Sequence, residues 1–337
     1  MRDGGLTERA AVASGIGSWP GTDVADALVL LRDELPDLPH LPELPARGPG
    51  ADLVGRAAAR LVDLSVDLQP SGWRLVDRPG RDQARADAFW REDLDRLAVA
   101  YDGWQGAVKV QLAGPWTLAA SVWLTRGERV LSDHGARRDL VASSAESVRE
   151  LVGTVRRLVP GAQVVLQVDE PSVPAVLAAQ VPTASGLRRL RAVPAAEVRA
   201  GLATVLDAAH DAGARTVLHC CAGDVPIALL REAGAQAIAV DVSLLDATGW
   251  ESLATCAEAG TTVWAGVVPT GGDLPSTVEL AAALERPWRQ LGLAGAGLAD
   301  VVVTPTCGLA GASPARARAT VVRLREVARE LTERARA

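Results

Sequence analysis

The sequence predicts an α/β fold, a (β/α)8 barrel of the TIM type. Two observations predict it. Short, nearly continuous β-branched runs alternate along the chain with long Ala/Leu/Arg amphipathic runs, the pattern of a parallel sheet buried on both faces by helices. About eight such units fit in 337 residues, which favours a closed barrel over an open doubly wound sheet. No long low-complexity tract divides the chain, so residues 1–337 are read as one catalytic domain.

Expected strands are 11–17, 107–112, 163–168, 215–220, 236–241, 262–268 and 300–305. Helical patterns occupy 52–68, 84–101, 136–158, 195–212, 273–291 and 313–336. A second strand, poorly marked, is expected within 38–78. The Pro-rich stretch from Leu35 to Pro49 reads as an ordered loop over a surface.

Composition narrows the function. With 48% hydrophobic residues the chain can bury a large core. A net charge of −6 offers no basic excess to neutralise phosphates, which argues against nucleic-acid binding. Residues 1–10 are polar, without a signal segment, and no apolar run reaches the ~18 residues of a membrane span. Four cysteines in so long a chain are not a disulfide framework, and a cytoplasmic location with reduced thiols is expected. Arginine supplies nearly all the positive charge, Lys109 being a rare lysine, and the arginine count carries no functional weight.

Barrel enzymes place their chemistry at the carboxyl ends of the strands. The polar residues there are Ser18, Asp169, Glu170, His219, Cys221, Asp241 and Cys307. In a strand ending His219-Cys220-Cys221, alternate residues share a face, so His219 and Cys221 point together and Cys220 points away. Cys307 ends the last strand and Asp241 the strand between. An imidazole, two thiolates and a carboxylate can hold Zn²⁺; equally, Cys221 and Cys307 can be buried small hydrophobes. Cys256, in a helical pattern, reads as core. The acidic pair Asp169-Glu170, released from the ladder by Pro171, can either hold a substrate ammonium or cap a helix. Gly15-Ile16-Gly17-Ser18 allows close backbone approach to an anionic group, or is simply a tight turn. It is not a GxGxxG loop. Trp116 and Trp123 can stack on a flat cofactor or fill the core. His40, His134 and His210 have no partners at a motif spacing.

Together, the stretches GIGSWPGT, VQLAGPWTL, LQVDEPSV, LHCCAG, AIAVDVS and TPTCGL resemble, in order from Ile16 to Leu309, the catalytic C-terminal barrel of cobalamin-independent methionine synthase. The most specific part is the H-x-C near mid-chain, the acidic residue about twenty positions later and the final CGL. The resemblance implies Zn²⁺ on His219, Cys221 and Cys307, with Asp241 where the family usually has glutamate. It implies homocysteine at Ile16, Ser18 and Asp169: Ser18 and its neighbours for the carboxylate, Asp169 for the ammonium as the catalytic-site acid, with Glu170 beside it and Glu43 a further candidate. The expected reaction is methyl transfer to the homocysteine thiol. The sequence departs from the family in lacking the second, N-terminal half and the histidine of the loop after strand seven, here Pro269-Thr270-Gly271-Gly272-Asp273. Those departures count against methyltetrahydrofolate and point toward a methylcorrinoid donor. Two other readings remain at this level. One is a uroporphyrinogen decarboxylase-like lyase, with Arg47, Arg74 and Arg78 for substrate carboxylates. The other is a non-catalytic homocysteine- or zinc-binding barrel.

Overall fold

A computed structural model describes residues 9–337; the polar stretch read at residues 1–8 lies outside them. The strands, in chain order, are β1 (Val12–Ala13), β2 (Ser65–Gln69), β3 (Gly72–Val76), β4 (Ala107–Ala113), β5 (Gln163–Asp169), β6 (Arg215–Cys220), β7 (Ala237–Asp241), β8 (Thr262–Val268) and β9 (Val302–Pro305). Seven of them form one parallel sheet in the order β1-β9-β8-β7-β6-β5-β4, curled as in a TIM barrel, while β2 and β3 make a separate antiparallel hairpin.

The expected second strand is the segment 38–43. Leu41 N–H donates to the Lys109 carbonyl and Lys109 N–H to the Pro39 carbonyl, while Glu43 N–H donates to Gly17 and Trp19 N–H to Glu43. These bonds bridge β4 to β1 and close the wall. Pro39 and Pro42 have no N–H to extend either ladder, so the contact consists of isolated bridges at His40–Lys109 and Ser18–Glu43. The Pro-rich stretch is therefore corrected from a surface loop to a buried part of the barrel wall: Leu38, His40, Leu41, Glu43 and Leu44 are all buried. The helix expected over 52–68 stops at Ala59, because the alternating run Ser65–Gln69 pairs with Gly72–Val76 instead.

Successive inward residues of each strand climb the barrel in steps of two. At the bottom, Leu38, Val165, Val217, Ala237, Trp264 and Val302 form an apolar cluster separate from the main core between sheet and helices. A cavity of about 780 Å³ opens at this end. Two residues further along β4 and β5 the interior turns polar, at Lys109 and Gln167. Asp169 follows, paired in register with His219 of β6. No helix among the described residues is long and apolar enough to cross a membrane.

Candidate active site

At the carboxyl end of the barrel the sulfurs of Cys221 and Cys307 lie 3.3 Å apart, both cysteines being free. Their hydrogen bond pushes the Cys307 thiol down to about 6 and raises that of Cys221. Asp241 and Asp169 are both close enough to Cys307 to interact electrostatically. His219 is buried, and its Nδ1 has no hydrogen-bond partner. Burial and the nearby Lys109 charge hold its imidazole down at about 4, partly offset by a hydrogen bond to the Ala239 backbone. Asp241 is turned into its own corner, where one carboxylate oxygen accepts from Ser243 N (2.9 Å) and Oγ (2.6 Å). As the side chains stand, no three His, Cys, Asp or Glu groups among the described residues gather at one point. The sulfur pair is assembled, and His219 and Asp241 occupy neighbouring strands at the same end.

The two residues of the acidic pair part company. Asp169 points into the barrel and accepts from Gln167 Nε2 at 2.7 Å. Burial raises its carboxyl well above the usual range; Glu43 raises it further and Lys109 opposes both. Glu170 faces outward into the helix Pro115–Ser121. Its oxygens accept from Trp116 N (3.0 Å), Thr117 N (2.7 Å) and Thr117 Oγ1 (2.7 Å), and burial pushes its carboxyl up to about 7. It caps a helix contributed by a different strand, a role that the strand alternation between positions 169 and 170 imposes.

Ser18 contacts the turn that carries Cys307. Its carbonyl accepts from Leu309 N at 2.9 Å and its Oγ from Ala310 N at 3.3 Å. Gly308 leaves room for this contact, since a Cβ would sit 2.1 Å from Ser18 Oγ and displace it. The Ile16 carbonyl is turned inward, accepting from Lys109 Nζ (2.6 Å) and Gln167 Nε2 (2.8 Å). Gly17 lies against the Gln111 side chain, where a Cβ would meet it at 2.9 Å. Glu43 is buried beside this turn. Burial raises its carboxyl; Arg56, Lys109 and a hydrogen bond from Gln111 lower it.

The sequence reading missed Lys109, Gln111 and Gln167. Polar residues at alternate positions of otherwise apolar strands were the available signal. Trp116 and Trp123 are buried, with indole N–H groups bonded to the Val198 and Ser71 carbonyls, so both serve the core. Arg47 is held by Asp93 at 2.7 and 2.9 Å, and Arg74 by the Leu124 carbonyl, so neither is free to receive a substrate carboxylate. Cys220 and Cys256 are buried packing residues.

The family model described as "Cobalamin-independent synthase, Catalytic domain" matches residues 11–330. The chain belongs to this family. Among solved structures it is similar to a B12-independent methionine synthase from Shewanella sp. W3-18-1 in complex with selenomethionine. The identity is 13%, with 96% of this chain and 98% of that chain covered and a TM-score of 0.63. GH5_18 from Streptomyces cattleya in complex with GlcNAc is 16% identical, with 98% and 81% covered and a TM-score of 0.47. No curated protein matched the chain. The Shewanella likeness establishes the barrel fold.

Proposed function

We propose that this synthase-family chain moves a methyl group to the thiol of homocysteine, giving methionine. The observation that carries the reading is the meeting of a thiol pair, Cys221 and Cys307, with the buried acids Asp169 and Glu43 at one barrel mouth. The sulfur pair and the unpartnered His219 Nδ1 are donors suited to zinc, so His219, Cys221 and Cys307 would hold it, with Asp241 at the same rim. Bound zinc would supply the substrate as a thiolate at neutral pH, where a free thiol is mostly protonated.

The chain's own residues do the rest. Asp169 and Glu43 accept the substrate ammonium, and the Ile16–Ser18 turn receives its carboxylate through Ser18. Holding the sulfur in line with the donor's methyl group lowers the barrier by orientation. The sulfur's electron pair forms the new S–C bond, and the bond from methyl to donor breaks, leaving its pair with the donor. No protein nucleophile is needed. The loop 269–273 has no histidine, and Arg316 holds its carbonyls at Pro269 and Gly272 (2.9 and 2.8 Å). This supports a donor whose leaving group takes no proton, a methylcorrinoid, over methyltetrahydrofolate. Reduced thiols at the mouth agree with a cytoplasmic location.

The test is methionine formation from homocysteine with methylcobalamin and with methyltetrahydrofolate, run in parallel on zinc-loaded protein. Product from methylcobalamin is expected. Product from neither donor overturns the reading.

A further inference from the structure

Lys109 is the only lysine in the chain, and it is fully buried in the middle of the barrel. A lysine in such a place is costly unless its charge is answered and its three N–H groups are used. All three have partners: the Ile16 carbonyl at 2.6 Å, Gln167 Oε1 at 2.9 Å and Gln111 Oε1 at 3.2 Å.

The two glutamines matter because an amide has a donor end and an acceptor end. An ammonium can only donate, so it fixes both oxygens toward itself and turns both NH2 groups away. The Gln167 NH2 then donates to Asp169 (2.7 Å) and to the Ile16 carbonyl (2.8 Å). The Gln111 NH2 donates to the Leu41 carbonyl (2.8 Å), two residues before Glu43, and its side chain lowers the Glu43 carboxyl. One cation thus reaches two acids through two amides. These acids lie on opposite sides of β4, Asp169 at the end of β5 and Glu43 in the 38–43 segment.

The geometry points to Lys109 as a positioning residue that sets the polarity of Gln111 and Gln167, so that Glu43 and Asp169 face the mouth as acceptors for a primary ammonium group. This rests on the amino-acid thiol reading above and adds to it the device that would select the amino group. Lys109 is the one cation that acts on both acids, while Arg56 lies 3.9 Å from Glu43 alone, so a substrate ammonium would add counter-charge on the Asp169 side. Burial lowers Lys109 to about 7 and raises both acids, while each acid raises Lys109 and Lys109 lowers each acid. The other charged or titratable groups around the trio are His40, His219, Arg56 at 3.9 Å from Glu43, Asp52, Cys220, Cys221 and Cys307.

The test compares wild type with Lys109→Met, of similar length but without charge, both zinc-loaded. Each is titrated with homocysteine and with 4-mercaptobutanoate, which lacks only the amino group. Wild type is expected to prefer homocysteine. In Lys109→Met that preference should fall about tenfold or more, with 4-mercaptobutanoate binding unchanged. Side-chain amide NMR gives a second readout independent of the ligand: slow hydrogen exchange at the Gln111 and Gln167 NH2 groups should be lost in the variant. Should Lys109→Met not fold, Gln111→Met and Gln167→Met each cut one arm, and each should lose part of the preference. Unchanged preference and unchanged amide exchange overturn the proposal. Loss of amide protection in the variant, with no amino-group preference in wild type, would leave the lysine's role standing and remove the homocysteine reading instead.

Discussion

The Sγ atoms of Cys221 and Cys307 lie 3.3 Å apart although 86 residues separate them and β7 and β8 stand between their strands. Only curvature of the sheet brings the ends of β6 and β9 together. The contact is therefore a property of the closed barrel and of no local segment.

Metal analysis checks the first consequence. The wild-type protein is expected to carry stoichiometric zinc, and Cys221→Ser and Cys307→Ser each to lose it. Cys256→Ser, at a buried packing thiol, should keep it. Full occupancy in both of the first two variants would remove the assigned ligands.

Asp169 accepts a hydrogen bond from Gln167 and faces the mouth. Asp169→Asn keeps the shape and removes the charge. Losing a charged hydrogen bond of about 1.5–3 kcal/mol should raise KM for homocysteine roughly 10- to 150-fold. Affinity for the thiol without an amino group should change little, which steady-state kinetics and competition binding would show.

Glu170 supports the site from outside by capping the helix Pro115–Ser121. Glu170→Ala strands two buried backbone N–H groups and the Thr117 hydroxyl, a cost of about 2–4 kcal/mol in denaturant unfolding. Because burial raises this carboxyl from 4.5 to about 7 in the fold, its contribution to stability is complete below about pH 4.5 and is lost as pH rises through about 7. The loss is on the order of 3 kcal/mol. Glu170→Gln has no proton to lose there, so its stability should fall less steeply across that window than wild type.

Gly308 lets the Cys307 turn sit on Ser18, since a Cβ would reach Ser18 Oγ. Gly308→Ala should leave the melting temperature nearly unchanged, because the serine hydroxyl can rotate away. Displacing that hydroxyl from the substrate carboxylate should cost up to about 100-fold in kcat/KM. Normal kinetics in Gly308→Ala would show that Ser18 does not touch the substrate.

By itself the sequence determined the β/α alternation and the order of the residues that end the strands. Six of the expected strands outside 38–78 appear within two residues of their bounds and 11–17 shrinks to Val12–Ala13, because a strand buried on both faces is mostly apolar and stops at polar or Gly/Pro positions. The strand-end positions of His219, Cys221, Asp169, Asp241 and Cys307 were legible for the same reason. The 38–43 segment was not, because its prolines erase strand signals and neighbouring chains supply its few backbone bonds. Strand alternation sends Asp169 and Glu170 to opposite faces, but only the tertiary structure decided that Asp169 takes the mouth and Glu170 the helix. It also decided the standing of Lys109. A lone lysine in a strand says nothing until the barrel closes and places two amides and two acids around its nitrogen.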